Sequence, residues 1–147
     1  MIILDANLLI YAYDAGAKEH TAARRWLEEL FSSPQMIGLP IQTLGAFLRI
    51  ITHSRLPGPR FSIEEAVEIV DEWLELPQLR LLVPGERHWD HLRRALLEGN
   101  ACGPLVTDAQ IAAVALEFSG IVHTNDRDFA RFPGLRWANP LIEPKQP

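Results

Sequence analysis

Short apolar runs alternate along this chain with longer segments in which apolar residues recur at helical spacing. The runs have the length and character of buried strands, and they lie at Ile2–Leu4, Met36–Leu39, Leu79–Val83, Ile121–His123 and, as a candidate fifth strand, Leu135–Ala138. Strands that alternate with helices indicate a parallel sheet with helices on both of its faces. We therefore predict an α/β fold, a three-layer α/β/α architecture around a central parallel sheet of about five strands.

Two sequence patterns predict where helices begin. Ser62 and Glu65 have the spacing of a capping box, in which each residue satisfies a backbone N–H of the other. Thr107 and Gln110 show the same spacing before a segment that is apolar nearly all round, which indicates a buried helix. A short helical turn is expected at Asp126–Arg131.

The bulk properties suit one globular domain without a membrane span. The chain has 147 residues, of which 48% are hydrophobic and 22% charged, and we expect one domain over residues 1–140 with an irregular tail over 141–147. No apolar run approaches a membrane span, and Asp5 interrupts the first apolar run in a way that disfavours a signal peptide. The single cysteine, Cys102, excludes an internal disulfide, so we expect a cytoplasmic protein. A net charge of −5 disfavours broad electrostatic capture of nucleic acid, although a local basic patch with bound metal is compatible with a nuclease.

Four acidic residues fall where a parallel sheet binds its ligands. Asp5 follows the first predicted strand, and Asp126 and Asp128 follow the fourth; Asp108 begins the buried helix that precedes the fourth strand. Ligands of open α/β sheets bind beyond the carboxyl ends of the strands. Crowded carboxylates repel one another unless a cation joins them, and oxygen ligands favour Mg²⁺ or Mn²⁺. The pattern therefore predicts a metal site that activates water for phosphodiester cleavage.

Each acid also has an ordinary structural interpretation. Asp5 taken alone suits a simple helix cap almost equally well, with Asn7 in an Asx turn. Asp108 stands in a first helical turn, where the helix dipole favours acids. Asp126 and Asp128 suit a cap and a solvated first turn. Only the convergence of all four residues at one sheet edge favours the metal site.

The residues that form these patterns resemble the PIN-domain family. The stretches LDANLLIYAYD, VTDAQIAAVALEFSG and HTNDRDFARFPGLRWANPL are similar to that family, and most similar to the toxin ribonucleases of VapBC-type toxin–antitoxin pairs. The resemblance covers nearly the whole chain. It implies a doubly wound sheet, Mg²⁺-dependent (or Mn²⁺-dependent) RNA cleavage, a homodimer and a cognate VapB-like antitoxin.

The resemblance also assigns residues. Asp5, Asp108 and Asp126 match the catalytic acids of the family; with Asp128, which matches the second acid of the D-x-D-F motif, they form the implied metal ligands. Asn7 and Thr124 match supporting polar residues. The carboxylate site gives a reason to expect that an arginine of the antitoxin reaches it.

One position departs from the family pattern. Most PIN nucleases carry a glutamate on the helix after the second strand, and this chain has Gly45 or Ala46 there. The departure puts a second metal and high activity in doubt. Glu98 and Asp14 are candidate substitutes, although nothing in the sequence places either of them at the site.

Several residues leave alternatives open. Arg49, Arg55 and Arg60 surround a loop rich in proline and suit RNA phosphates, a negatively charged partner or a solvated surface equally well. His123 ends the strand that precedes two of the acids, and a partly buried structural role suits it best.

The leading functional hypothesis is a Mg²⁺-dependent endoribonuclease toxin. The alternative is a catalytically weak or inactive PIN-like module that binds RNA or antitoxin. A phosphatase of the haloacid-dehalogenase type ranks far below both, because Asn7 stands where its second aspartate is required and lysines are scarce.

Overall fold

A computed structural model describes residues 1–142 of the chain. The strands are β1 (Ile2–Leu4), β2 (Ile37–Pro40), β3 (Leu79–Leu82), β4 (Ile121–His123) and β5 (Arg136–Ala138). The helices are α1 (Ala6–Tyr13), α2 (His20–Phe31), α3 (Ile41–Ile51), α4 (Ile63–Leu74), α5 (His88–Glu98) and α6 (Leu105–Glu117), and a 3-10 helix spans Arg127–Arg131.

The five strands form one parallel sheet in the order β3-β2-β1-β4-β5. The chain builds outward from β1 through β2 to β3 and then returns to the other side of β1 to place β4 and β5. The strand order therefore reverses between β1 and β4, which pair from Ile2 with Ile121 to Leu4 with His123. Such a reversal leaves a crevice at the carboxyl ends of the two strands.

Helices cover both faces of the sheet and confirm the predicted three-layer architecture. One core joins α1, α2, α3 and α4 to the sheet through side chains such as Leu9, Leu27, Phe47 and Trp73. The second core packs α5 and α6 against the other face, around Val122 and Phe129. Because helices cover both faces, the central strands are apolar on both sides and strands of only three or four residues suffice.

The two capping predictions had opposite outcomes. Ser62 and Glu65 form the predicted capping box at the start of α4, with N–H···O distances of 3.1 Å and 3.0 Å. The Thr107–Gln110 box is wrong, because α6 begins at Leu105 after Pro104 and no side chain caps it. Proline suits a helix start, and it moves the beginning of the helix ahead of the Thr107 signal. Asp108 consequently lies inside the first turn of α6.

The predicted tail falls mostly outside the described residues. Leu141 and Ile142 belong to neither a helix nor a strand, and Leu141 packs against the first core. Residues 143–147 lie outside the described range. Within residues 1–142, none of the helices combines the length and the apolar character that crossing a membrane requires.

Candidate metal centre

Asp5 and Asp126 lie on either side of the strand reversal. Asp5 directly follows β1, and Asp126 follows β4 after two intervening residues. The backbone N–H of Asp5 donates to the carbonyl of His123 at 3.2 Å, so the two strand ends stay paired up to the acids. The crevice predicted from topology therefore has a carboxylate on both of its sides.

Asp5 is both a helix cap and a buried carboxylate. It occupies the N-cap of α1, and its Oδ1 accepts a hydrogen bond from the Ala6 N–H at 2.7 Å. Its other oxygen, Oδ2, accepts one from the Thr124 hydroxyl at 2.7 Å. Only 6% of the residue is exposed, and burial raises its pKa to about 6 against the opposing effect of both hydrogen bonds. A cap on the surface would not carry this energetic penalty.

Thr124 joins the two sides of the crevice. Its buried hydroxyl donates to Asp5 and accepts from the backbone N–H of Asp126 at 2.9 Å and from Nδ2 of Asn7 at 3.2 Å. A hydroxyl has one donor and two acceptor sites, so its hydrogen-bonding capacity is filled. Asn7 completes the connection, because its Oδ1 accepts from the Asn125 N–H at 3.3 Å.

Asp108 reaches the same edge from α6 on the other face of the sheet. Its pKa is raised to about 7, first by burial and then by the negative charges of Asp5, Asp126 and Asp128, with Arg131 opposing the shift. The charges that act on Asp108 thus come from both sides of the strand reversal. Mutual repulsion of this kind is what a divalent cation relieves.

Asp128 lies farther out than the other three acids. It is exposed; its N–H donates to Oδ1 of Asp126 at 2.8 Å, and its carboxylate lies 3.5 Å from the Arg131 guanidinium. Its negative charge contributes to the raised pKa of Asp108, but its own carboxylate already has Arg131 as a cationic partner. Its chemistry suits an outer role better than direct coordination.

The donor set fits a hard divalent cation, although the side chains are not closed around one. Within residues 1–142, no three acidic, histidine or cysteine side chains stand close enough together to hold a metal ion without moving. All the candidate ligands are oxygens, which suits Mg²⁺ or Mn²⁺ and disfavours zinc.

Neither proposed replacement for the missing glutamate joins the acids. Helix α3 carries no carboxylate; Gly45 is exposed, and Ala46 is half-buried. Asp14 lies at the opposite end of α1 from Asp5 and accepts hydrogen bonds from the Gly16 and Gly58 backbone N–H groups. Glu98 ends α5 with its carboxylate 3.1 Å from Arg94.

Two further residues support the site without a sequence signal. The buried Thr43 hydroxyl donates to the Leu4 carbonyl at 2.7 Å, which fixes the start of α3 beside the end of β1. Asn139 donates from Nδ2 to Oδ1 of Asn125 at 2.7 Å. Both contacts cross between strand ends, so only the strand order could have revealed them.

Comparisons with known proteins identify the family of this chain. The family model described as the PIN domain matches residues 2–135. Ribonuclease VapC33 of Mycobacterium tuberculosis is 38% identical over 143 residues, which cover 97% of this chain and 100% of that protein. Ribonuclease VapC43 of the same species is 39% identical over 141 residues, 96% of each chain.

A solved structure gives the same fold at lower sequence identity. The structure of VapBC2 from Rickettsia felis, bound to a DNA fragment from its promoter, aligns with a TM-score of 0.70 at 20% identity. The alignment covers 95% of this chain and 98% of that one. At 20% sequence identity, this structural similarity shows the fold alone. The family model and the two relatives show the family. The chain belongs to the PIN-domain family, among the VapC ribonucleases.

Proposed function

We propose that this protein is a Mg²⁺- or Mn²⁺-dependent endoribonuclease, the toxin of a toxin–antitoxin pair, with residues 1–140 as one catalytic domain acting in the cytoplasm. The observation that supports it most is the buried Asp5 carboxylate at the strand reversal, coupled by charge to Asp108 and Asp126. The names of the VapC33 and VapC43 relatives supply the reaction class.

In this proposal Asp5, Asp108 and Asp126 hold the metal, and Asp128 assists from outside. A divalent cation held by these carboxylates would supply a water of lowered pKa and positive charge beside the phosphate. Thr124 orients Asp5 through the 2.7 Å hydrogen bond, and Asn7 fixes Thr124 in turn. Supporting hydrogen bonds of this kind set the direction of carboxylate ligands. The acids bind metal only when ionised, so protons compete with the metal and activity should fall as the solution becomes acidic.

Partners follow from the relatives. VapBC structures lie among those with this fold, and we infer a VapB-like antitoxin whose arginine reaches the acids. We also infer a homodimer formed through helices in the second and third quarters of the chain. The exposed apolar side chains of Ile63, Val67 and Leu74 on α4 support that surface.

The second candidate function uses the same acidic site but has little catalytic activity. Because α3 supplies no carboxylate, the site has one negative charge fewer than the usual family pattern. Weaker metal binding would make the protein mainly a module that binds RNA or antitoxin. RNA binding without any strand cleavage would favour this candidate.

The test is a Mn²⁺ titration by calorimetry, paired with cleavage of total RNA by antitoxin-free protein. Wild type should bind metal and cut RNA, and Asp5→Asn should do neither while remaining folded. Asp90→Asn, which removes an exposed acid from the first turn of α5, is the matched control and should behave as wild type. Equal cleavage by Asp5→Asn and wild type would overturn the assignment.

A further inference from the structure

A cavity lies at the far ends of the two helices that begin at the acidic edge. It has a volume of about 480 Å³ and is formed by the C-terminal ends of α1 and α3 and the loops that follow them. Helix α1 starts directly after Asp5, and Thr43 fixes the start of α3 beside β1. At 1.5 Å per residue, the ends of α1 lie about 12 Å apart. The cavity is therefore a short distance from the acids along one face of the molecule.

Two tethered loops form one wall of the cavity. Oδ1 of Asp14, a residue that is only 2% exposed, accepts hydrogen bonds from the backbone N–H groups of Gly16 and Gly58, each at 2.9 Å. A Cβ on Gly58 would stand 2.5 Å from that oxygen, and one on Gly16 would stand 2.5 Å from the Gly58 nitrogen. The close approach explains why glycine occupies both positions. It also means that the Asp14 charge is already compensated by two donors.

The cavity combines an apolar interior with uncompensated positive charge. Ile50, Leu56 and Pro57 line it together with Tyr11. Arg49 and Arg55 also line it; both are exposed, and within residues 1–142 neither guanidinium has an acidic partner. Lys18 is different, because it lies 3.9 Å from Glu19. The two arginines can thus bind an anion in a protein whose net charge is −5.

We propose that this cavity binds one nucleotide of the RNA substrate, a few nucleotides along the RNA from the cleaved phosphate. An unstacked base would pack against Tyr11 and the apolar lining, and Arg49 and Arg55 would pair with the adjacent phosphates. Proteins read single-stranded RNA by this combination of stacking and phosphate contacts. The volume lies within the range of small-ligand sites. The inference rests on the proposed ribonuclease function and adds a subsite that selects where the strand is held.

RNA suits the cavity better than a protein segment for a reason of charge. The acids at the cleavage site repel phosphates, so an RNA strand requires cationic contacts elsewhere along its path. Arg49 supplies such a contact in the last turn of α3, and Arg55 supplies one in the loop that follows it. The proposed antitoxin also has to reach the acids, but it does so with an arginine, which the acids attract and which Arg49 and Arg55 would repel.

The test is fluorescence anisotropy with a labelled single-stranded RNA of mixed sequence, in EDTA so that cleavage does not interfere. The Arg49→Gln/Arg55→Gln variant should bind about tenfold or more weakly at low salt. The slope of log affinity against log salt should fall by one to two, since each phosphate contact on a single strand contributes about 0.7. Ala17→Phe, which fills the cavity without changing charge, should weaken binding and leave the salt slope unchanged.

The matched control is Arg87→Gln/Arg93→Gln. It removes two exposed arginines at the start of and within α5, on the opposite face of the sheet, and gives the same net charge. Unchanged RNA binding by the Arg49/Arg55 variant would overturn the proposal, and so would equal weakening by the control. Loss of antitoxin binding with intact RNA binding would assign the cavity to the protein partner and also overturn it.

The experiment separates this proposal from the ribonuclease assignment. RNA binding that depends on Arg49 and Arg55 but yields no cleavage with any divalent metal would support the subsite and refute the nuclease. Metal-dependent cleavage with binding that ignores both arginines would do the reverse.

Discussion

The Thr124 hydroxyl donates to Oδ2 of Asp5 across 119 positions of sequence at 2.7 Å, and the same hydroxyl oxygen accepts the backbone N–H of Asp126. One buried side chain therefore fixes the position of Asp5 relative to Asp126 in the candidate metal centre. It does so from the end of β4, at the point where the strand order reverses.

Replacing Thr124 with valine should weaken the metal site without removing a ligand. Valine keeps the shape but leaves Asp5 Oδ2 without its donor, and losses of such supporting hydrogen bonds typically cost about 10- to 100-fold in metal affinity or activity. Calorimetry with Mn²⁺ and RNA cleavage measure the two effects. Thr124→Ser keeps the hydroxyl and should retain most of both. Equal loss in the serine and valine variants would show that packing of the methyl group, not the hydrogen bond, is what matters.

The metal-free protein should become less stable relative to Asp5→Asn as the pH rises. The pKa of Asp5 is about 6 in the folded protein, against an ordinary value of 3.8 for a solvated aspartate, so folding favours its protonated form. The protonated Asp5 carboxyl therefore contributes fully to the stability of the folded protein below pH 4, and this contribution is lost as the pH rises through 6. The difference in the free energy of unfolding between the two proteins should therefore change by about 2–3 kcal/mol between pH 4 and pH 8.

Urea unfolding in EDTA at several pH values measures that change. Asp108, with a pKa of about 7, should extend the wild-type decline toward neutral pH, by less than its shift implies because it is only half-buried. Adding Mg²⁺ at pH 8 should restore the free energy of unfolding of wild type and leave that of Asp5→Asn unchanged. A pH-independent difference between the two proteins would show that Asp5 is an ordinary solvated cap.

Ala46→Glu should strengthen the metal site by returning the carboxylate that α3 lacks. Ala46 is half-buried, whereas Gly45 is exposed and a Cβ there would meet nothing within 4 Å. We expect tighter Mn²⁺ binding and faster RNA cleavage for Ala46→Glu. Gly45→Glu adds the same charge one position away and is the control, which should change neither. Tighter Mn²⁺ binding or faster RNA cleavage in the Gly45→Glu variant alone would show that position 45, not position 46, corresponds to the missing glutamate.

Gly58→Ala should destabilise the protein through the tether at Asp14. The new methyl would press on the Asp14 carboxylate and the Gly16 nitrogen, at 2.5 Å and 2.8 Å, and overpacking of this kind typically costs about 1–3 kcal/mol. Gly45→Ala is the contrasting change in open space on α3. It should stabilise by roughly 0.5–1 kcal/mol, because alanine is the better helix former. Thermal unfolding of both variants checks the pair, and similar shifts would argue against a close approach of the two loops.

Much of the fold could be predicted because it depends on local patterns. Apolar runs located all five strands to within one residue at each end. The Ser62 capping box was confirmed because its two partners are three residues apart. The Thr107 box failed because Pro104 starts α6 earlier, and two adequate start signals in one segment cannot be ranked from sequence.

The candidate site divides in the same way. Its four acids are visible as residues that follow apolar runs or begin a buried helix, and the structure brings Asp5, Asp108 and Asp126 within electrostatic reach of one another. The roles of Thr43 and Asn139 were not visible, since their partners lie on other elements. Asp14 shows the converse: an acid suggested as a replacement ligand forms a loop tether at the other end of α1. Whether the acids act in catalysis stays a prediction.

The carboxylates of Asp5, Asp108 and Asp126 place negative charge together at the ends of β1 and β4. Folding and cation binding are therefore thermodynamically linked. Any cation that enters the crevice stabilises the folded chain, and two different cations exclude each other there because each relieves the same repulsion. A divalent metal and a guanidinium from a protein partner would then be thermodynamic rivals. The fraction of molecules free to cut RNA would depend on the concentration of free metal as well as on the amount of antitoxin.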